Sequence, residues 1–369
     1  MKDSAGQRSP RLYQIDYFRG LAVVGMIETH VANELIRNDL ASSDGFRILT
    51  QVNGLVAPGF LLATGFILQL RPPRHALEYR SRLRRFMLWI ILATAMHSPT
   101  WDNAHSQIDF SPLLHFDILH CLALSGAILL AMQWLSRRSL YSEGSGNFQP
   151  GLTGDRLLWL LTGGTLFFVF AAAFITMIAP AIPASIAGIF THTVNSRFPL
   201  FPWAGFLLFG ALLCRLNSEL TRTVASEQPK APFVDGSNVV FVGSALLAIL
   251  SFALLSFGAF TQWTPDPRTD PAFFFARAGC LAAILMGLLK IQFGEARRWL
   301  MPLEWLGKRS LPIYVIHLVL LFSILPFGES IVVRIGHTLD QASISLVTLA
   351  LLSVTAMLVA SWQLIKGMR

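Results

Sequence analysis

A histidine inside a long apolar run needs a reason, because an ionisable group in hydrocarbon costs a few kcal/mol. The first such run opens Asp16-Tyr17-Phe18-Arg19-Gly20 and closes Glu28-Thr29-His30-Val31-Ala32-Asn33-Glu34. Arg19 and His30 are eleven residues apart. On a helix that is within about 20° of three full turns, so both lie on one face, roughly 16 Å apart along the axis. Asn33 and Glu34 follow His30 at i+3 and i+4 on that face. An imidazole can serve as a general base at neutral pH. A carboxylate one turn away can set its tautomer and raise its basicity. Glu28 lies about 200° from His30 around the helix and faces elsewhere. The plainer alternative is a polar stripe hydrogen-bonded to neighbouring helices.

A second run reads Leu306-Gly307-Lys308-Arg309-Ser310-Leu311-Pro312-Ile313-Tyr314-Val315-Ile316-His317. Lys308 and Arg309 mark its basic boundary, and His317 lies about 12 Å further in. Tyr314 and His317 share a face at i, i+3. The alternative for His317 is a core ring that donates to a carbonyl of an adjacent helix.

Other polar residues suggest less. His115, Asp117 and His120 open another run. His115 and His120 are about 140° apart on a helix, poor geometry for one zinc ion, so no metal is expected. His97, His105, Asp102 and Asp109 read as solvated loop residues. Arg197-Phe198-Pro199-Leu200-Phe201-Pro202-Trp203 reads as an interface-anchored helix start. Pro58-Gly59-Phe60 and Thr64-Gly65-Phe66 predict a kink and a close helix approach. The stretch from Arg71 to Arg85 holds six arginines, including Arg82, Arg84 and Arg85. It suits lipid headgroups or the phosphates of a cytosolic ligand.

The elements that must carry these residues are transmembrane helices. The chain of 369 residues is 53% hydrophobic and only 14% charged. A soluble domain carries about 25% charged residues, and the apolar runs recur at about the 20 residues that cross a bilayer. Soluble enzymes, nucleic-acid-binding domains, coiled coils and disordered chains are excluded. The runs do not alternate as barrel strands do. The expected fold is an all-α polytopic membrane protein with about ten spans: 17–37, 46–70, 85–99, 114–136, 157–180, 198–215, 238–260, 272–293, 309–327 and 343–365. With both termini cytoplasmic, 23 Lys and Arg fall inside and six outside: Arg37, Arg47, Arg197, Arg268, Arg277 and Arg334. That asymmetry is the positive-inside pattern. Residues 1–16 read as a cytoplasmic segment and 17–366 as one transmembrane domain. The first run is too long and too polar for a signal peptide. The stretches 142–153 and 226–237 read as flexible inner loops. No internal repeat is visible. Cys121, Cys214 and Cys280 all sit in apolar runs and imply no disulfide framework.

Asp16-Tyr17-Phe18-Arg19-Gly20-Leu21, followed by His30, resembles the first helix of the transmembrane acyltransferases. The arginine, ten residues, histidine spacing is similar to that of the acyltransferase 3 family. Phe116 to Leu124, Phe198 to Gly210, and Leu306 to His317 look more like the heparan-alpha-glucosaminide N-acetyltransferase catalytic-domain family. Together these motifs cover most of the chain. The resemblance implies transfer of an acyl group, acetyl above all, from cytosolic acyl-CoA to an extracytoplasmic sugar or glycan. It implies that Arg19 belongs to the acyl-CoA site and that His30 is the catalytic base. The heparan-type enzymes have asparagine at the position of His30 and a histidine further along, which Asp39 to Asp44 here do not supply.

The expected site is therefore catalytic His30, Glu34 and His317. Arg19, Arg82, Arg84, Arg85, Lys308 and Arg309 hold acyl-CoA. Asn33, Asn53, His120, Trp203 and Tyr314 face the acceptor. Glu34 orients the imidazole, and Tyr314, His317 or Asn53 stabilises the oxyanion. The expected partners are acyl-CoA, the acceptor and the bilayer of a bacterial inner membrane. A homo-oligomer is admitted, and nucleic acid is not expected. Two other classes stay open: a proton-coupled transporter or flippase with His30, Glu34 and His317 as a relay, and a non-catalytic membrane partner.

Overall fold

The computed structural model describes residues 12–97, 100–102, 107–109, 113, 115–138, 150–192, 196–224, 236–257, 266–322 and 330–367. Fourteen α-helices account for nearly all of the described secondary structure. In chain order they are α1 (Tyr13–Leu35), α2 (Asp44–Asn53), α3 (Val56–Leu70), α4 (Ala76–Met96), α5 (Ile118–Arg138), α6 (Pro150–Ile178) and α7 (Ala184–Phe190). Then come α8 (Leu200–Val224), α9 (Gly236–Ser256), α10 (Pro271–Lys290), α11 (Arg297–Lys308), α12 (Ser310–Phe322), α13 (Ile331–Ile335) and α14 (Gln341–Gly367). A short antiparallel hairpin, β1 (Thr100–Asp102) with β2 (Gln107–Asp109), links α4 to α5.

The protein is an all-α polytopic membrane protein, and each of the ten expected spans falls on a helix. Among the described residues seven helices are long and apolar enough to cross a membrane, or eight if the bent pair of α11 and α12 is one span. Two expected spans carry too many charges to join them: α1, with Asp16, Arg19, Glu28 and Glu34, and α4, with Glu78, Arg80, Arg82, Arg84 and Arg85. The expected second span runs through α2 and α3, whose helical phase breaks between Asn53 and Val56. Residues 142–149 and 226–235 of the expected inner loops lie outside the described residues.

The residues divide into two compact units, one of 1–57 with 288–369 and one of 58–287. In the first unit, α1 packs along α11 through a reciprocal glycine contact. A Cβ at Gly20 would strike the Leu303 carbonyl, and a Cβ at Gly307 would strike the Asp16 carbonyl. Only glycine lets the two backbones approach so closely. The carbonyls at the end of α1 are met by the segment before α14. Backbone N–H groups of His337 and Leu339 donate to Glu34 and Leu35 at 3.1 and 2.9 Å, and His337 Nδ1 donates to the Ile36 carbonyl at 3.2 Å. Those carbonyls have no intrahelical partner of their own. His337 adopts φ 55° there. After α11 the chain turns by 74° into α12.

In the second unit α8 is the central helix, with 89% of its apolar window buried. It meets α3 through a second reciprocal contact: a Cβ at Gly65 would strike the Leu207 carbonyl, and one at Gly210 the Leu62 carbonyl. The close approach expected at Gly65 is this crossing. By contrast α6 and α9 expose Trp159, Phe167, Phe174, Val239, Leu246 and Ile249, as helices facing lipid do.

Candidate active site

The first unit brings α12 alongside α1 so that their polar residues meet in two rungs. At the first, Arg19 Nη2 donates to Ser310 Oγ at 2.5 Å, while Nη1 stands 4.0 Å from the buried Asp16 carboxylate. At the second, the rings of His30 and His317 lie 5.3 Å apart, centroid to centroid, tilted by 44°. The rungs are eleven residues apart on α1 but seven on α12, about 16 and 10 Å of axial rise. The long arginine side chain spans the difference. Ser310, Tyr314 and His317 fall on one face of α12 because they repeat at i, i+4 and i+7.

His317 is fully buried. Its Nδ1 lies 3.0 Å from the Ile313 carbonyl. A carbonyl only accepts, so Nδ1 carries the proton and Nε2 the lone pair. Nε2 is buried without a hydrogen-bond partner among the described residues. The expected core contact to a neighbouring helix is thus a contact within α12. Tyr314 presents its ring edge-on to His317 at 5.8 Å, and Phe322 packs edge-on against His30 at 5.9 Å.

The other residues expected on α1 and α2 are placed as follows. Asn33 is exposed. The Glu34 side chain makes no hydrogen bond or ion pair among the described residues, and its backbone carbonyl accepts from His337. Asn53 Nδ2 donates to Glu28 Oε2 at 2.6 Å. Its amide is thereby committed to the acid that helix geometry put on a different face from His30.

Beyond the Arg19 rung a cleft of about 740 Å³ opens along α11, lined by Arg297, Arg298, Glu304, Trp305, Lys308 and Arg309, among others. Glu304 is paired with Lys308 and lies 3.7 Å from Arg297. Arg309 lies over the Trp305 ring at 4.5 Å and donates to Gln363 at 2.7 Å. The cleft therefore combines net positive charge with an aromatic wall, a surface that suits a phosphorylated ligand.

The remaining expected residues belong to the second unit, where several are engaged in packing. Arg82 donates to the carbonyls of Leu68, at 3.3 Å, and Arg71, which ties α4 to the end of α3. Arg84 and Arg85 line a shallow groove of about 330 Å³ on α4 with Arg80. The His120 ring uses both nitrogens: Nδ1 accepts the Asp117 N–H at 3.1 Å, so Nε2 carries the proton toward Thr94 Oγ1 at 3.0 Å. His97, half-exposed at the end of α4, stacks on His115 at 5.4 Å. His105 and the side chains of Asp102 and Asp109 lie outside the described residues. Trp203 donates from Nε1 to His192 Nε2 at 3.3 Å. Burial, first of all, pushes the His192 ring down to about 4, and the charge of Arg268 adds to this. Among the described residues no three His, Cys, Asp or Glu side chains converge as a metal site.

Ser310 and Asp16, the contacts of Arg19, are not among the residues expected in the site from the sequence. The i, i+4, i+7 spacing from Ser310 to His317 was the available signal for the first. For the second it was the i, i+3 spacing of Asp16 and Arg19.

A helical membrane protein with a seam that runs from an arginine to a pair of histidines, one of them fully buried, has the parts of an intramembrane group-transfer enzyme. Residues 12–365 match the acyltransferase domain of the acyltransferase 3 family, and the chain belongs to that family. It is a membrane acyltransferase. No curated protein matches the chain.

Proposed function

We propose that the protein moves an acyl group, acetyl in the first instance, from cytosolic acyl-CoA to a hydroxyl or amine of an extracytoplasmic sugar or glycan. The observation that carries this reading is the pair of imidazoles, His30 and His317, at the far end of the seam that starts at Arg19. The cleft with Lys308 and Arg309 supports a place for the donor's phosphates, with Arg19 nearer the thioester. Arg84 and Arg85, in the groove on α4, are proposed to face the cytoplasm. Both termini then face the cytoplasm, residues 17–366 serve as one acyltransferase domain, and the membrane is a bacterial inner membrane.

In the transfer step a nitrogen of His30 takes the proton of the acceptor group as its oxygen or nitrogen bonds to the thioester carbonyl carbon. The tetrahedral intermediate collapses with loss of the carbon–sulfur bond. The proton on His30 passes to the departing thiolate, which leaves as CoA. Tyr314 supplies a hydroxyl to the oxyanion. Asn33 and Asn53 are proposed for the acceptor side, with Glu34 at its edge. An acyl-histidine intermediate would split the same chemistry into two steps.

The test is acetyl-CoA binding to the purified protein, read as a thermal shift, beside Arg19→Ala and His30→Ala. A ligand that binds only the native state must stabilise it. The expected result is stabilisation that weakens in Arg19→Ala and persists in His30→Ala. Absence of stabilisation by acetyl-CoA and by longer acyl-CoAs would overturn the donor assignment.

A further inference from the structure

We propose that His317 is the positioning residue for His30: its Nε2 accepts the N–H of the His30 ring and so turns the other His30 nitrogen toward the acceptor. This rests on the acyl-transfer reading above and assigns a definite role to one residue of that site.

Three observations converge on it. The Ile313 carbonyl, 3.0 Å from Nδ1, leaves Nε2 of His317 as the unprotonated nitrogen. That atom is buried with no hydrogen-bond partner among the described residues. An unsatisfied buried acceptor costs about 1–3 kcal/mol, and native folds keep few of them without a functional reason. The His30 ring stands beside that of His317, at 5.3 Å between centroids. Two imidazoles joined by an N–H···N bond of ordinary length have centroids roughly 5 Å apart. A modest rotation of His30 therefore closes the bond. Catalytic hydrogen bonds of this kind are commonly long until substrate is bound.

Helix spacing offered Glu34 for the same role. The structure puts no Glu34 hydrogen bond there among the described residues. A neutral acceptor differs from a carboxylate in consequence. It fixes the tautomer and still favours the imidazolium, without adding a second charge to an apolar site. In the step above the acceptor's proton goes to the exposed nitrogen of His30. The N–H that faces His317 stays on His30 throughout, and the added proton leaves with the thiolate. On α1 and the helices packed against it the other titratable and charged groups are Tyr13, Asp16, Tyr17, Arg19, Glu28 and Glu34 on α1 itself, Asp44 and Arg47 on α2, Arg297, Arg298, Glu304 and Lys308 on α11, Tyr314 on α12, Arg334 on α13 and Lys366 on α14.

The experiment uses the full chain in lipid vesicles, with acetyl-CoA as donor, a mixture of hexoses and hexosamines as acceptor, and CoA thiol release as readout. His317→Asn keeps a donor for the Ile313 carbonyl but has nothing at the Nε2 position. His317→Gln places an amide oxygen near that position. The expected result for His317→Asn is a loss of roughly 10- to 100-fold in kcat, the size usual when a hydrogen-bond partner that orients a functional histidine is removed. The KM for acetyl-CoA should not change, and the acidic limb of the pH–rate profile should move to lower pH. His317→Gln should recover most of the rate. Wild-type turnover and an unmoved acidic limb in His317→Asn would overturn the proposal. So would equal losses in both variants with the limb unmoved, which would mark a packing role. His30→Ala runs alongside. If it turns over normally, or if the wild type releases no CoA, the acyl-transfer reading itself fails, and the His317 assignment with it. If His30 is essential and His317→Asn is normal, only the assignment made here fails.

Discussion

His30 and His317, drawn from opposite ends of the chain, stand ring to ring at 5.3 Å. One helix turn fixes the tautomer of His317 through the Ile313 carbonyl. The other helix carries Arg19 on the same face as His30, and Arg19 is itself held by Ser310 at the start of α12. The two rungs make α1 and α12 a single functional edge.

Replacing His30 with Ala should lower acyl transfer by about 10²–10⁴-fold, the usual contribution of a general base. The melting temperature in detergent and the protection by acetyl-CoA should stay near wild type. Transfer rates measured beside thermal melts would check both halves, and near-normal turnover would remove His30 from the mechanism.

Ser310→Ala removes the acceptor of the Arg19 hydrogen bond. It should cost about 1.5–3 kcal/mol of stability, the range for a bond to a charged group, and weaken acetyl-CoA protection while kcat changes little. Arg19→Lys should fare worse than its charge suggests, because an ammonium cannot reproduce the guanidinium fork. Titrations of acetyl-CoA against the melting temperature would compare the two.

Gly307→Ala places a methyl group against the Asp16 carbonyl, where no room exists. The α1–α11 crossing must open, at a cost of about 1–3 kcal/mol or more. The Arg19 rung moves with it, so donor protection and stability should fall together. Gly163→Ala is the control, since a Cβ there meets nothing. Equal melting temperatures in the two variants would contradict the crossing.

His192 has its ionisation pushed down to about 4, chiefly by burial. A histidine so depressed in the folded state contributes stability that is complete above its unfolded value of about 6.5. The contribution is lost as pH falls from there toward 4. His192→Gln, which keeps an acceptor for Trp203 Nε1, should flatten the fall of melting temperature between those limits. A melt series across that range in both proteins would decide it.

The helical class and the common face of Arg19 and His30 on α1 are readable from residue spacing, because a helix repeats every 3.6 residues and hydrocarbon admits few other structures. Helix spacing also offered Glu34 as the nearest acid to His30. What it could not contain is a partner that arrives from another helix. Ser310 against Arg19, His317 against His30 and Asn53 against Glu28 all depend on how far one backbone can approach another. The crossing at Gly20 and Gly307 sets that approach for α1 and α11. Arg82 belongs to an arginine cluster and His120 to a motif segment in the sequence, and the tertiary structure ties both into interhelical hydrogen bonds. Periodicity is a property of one segment. The positioning of a site is a property of packing, and packing is decided only where small residues let two segments meet.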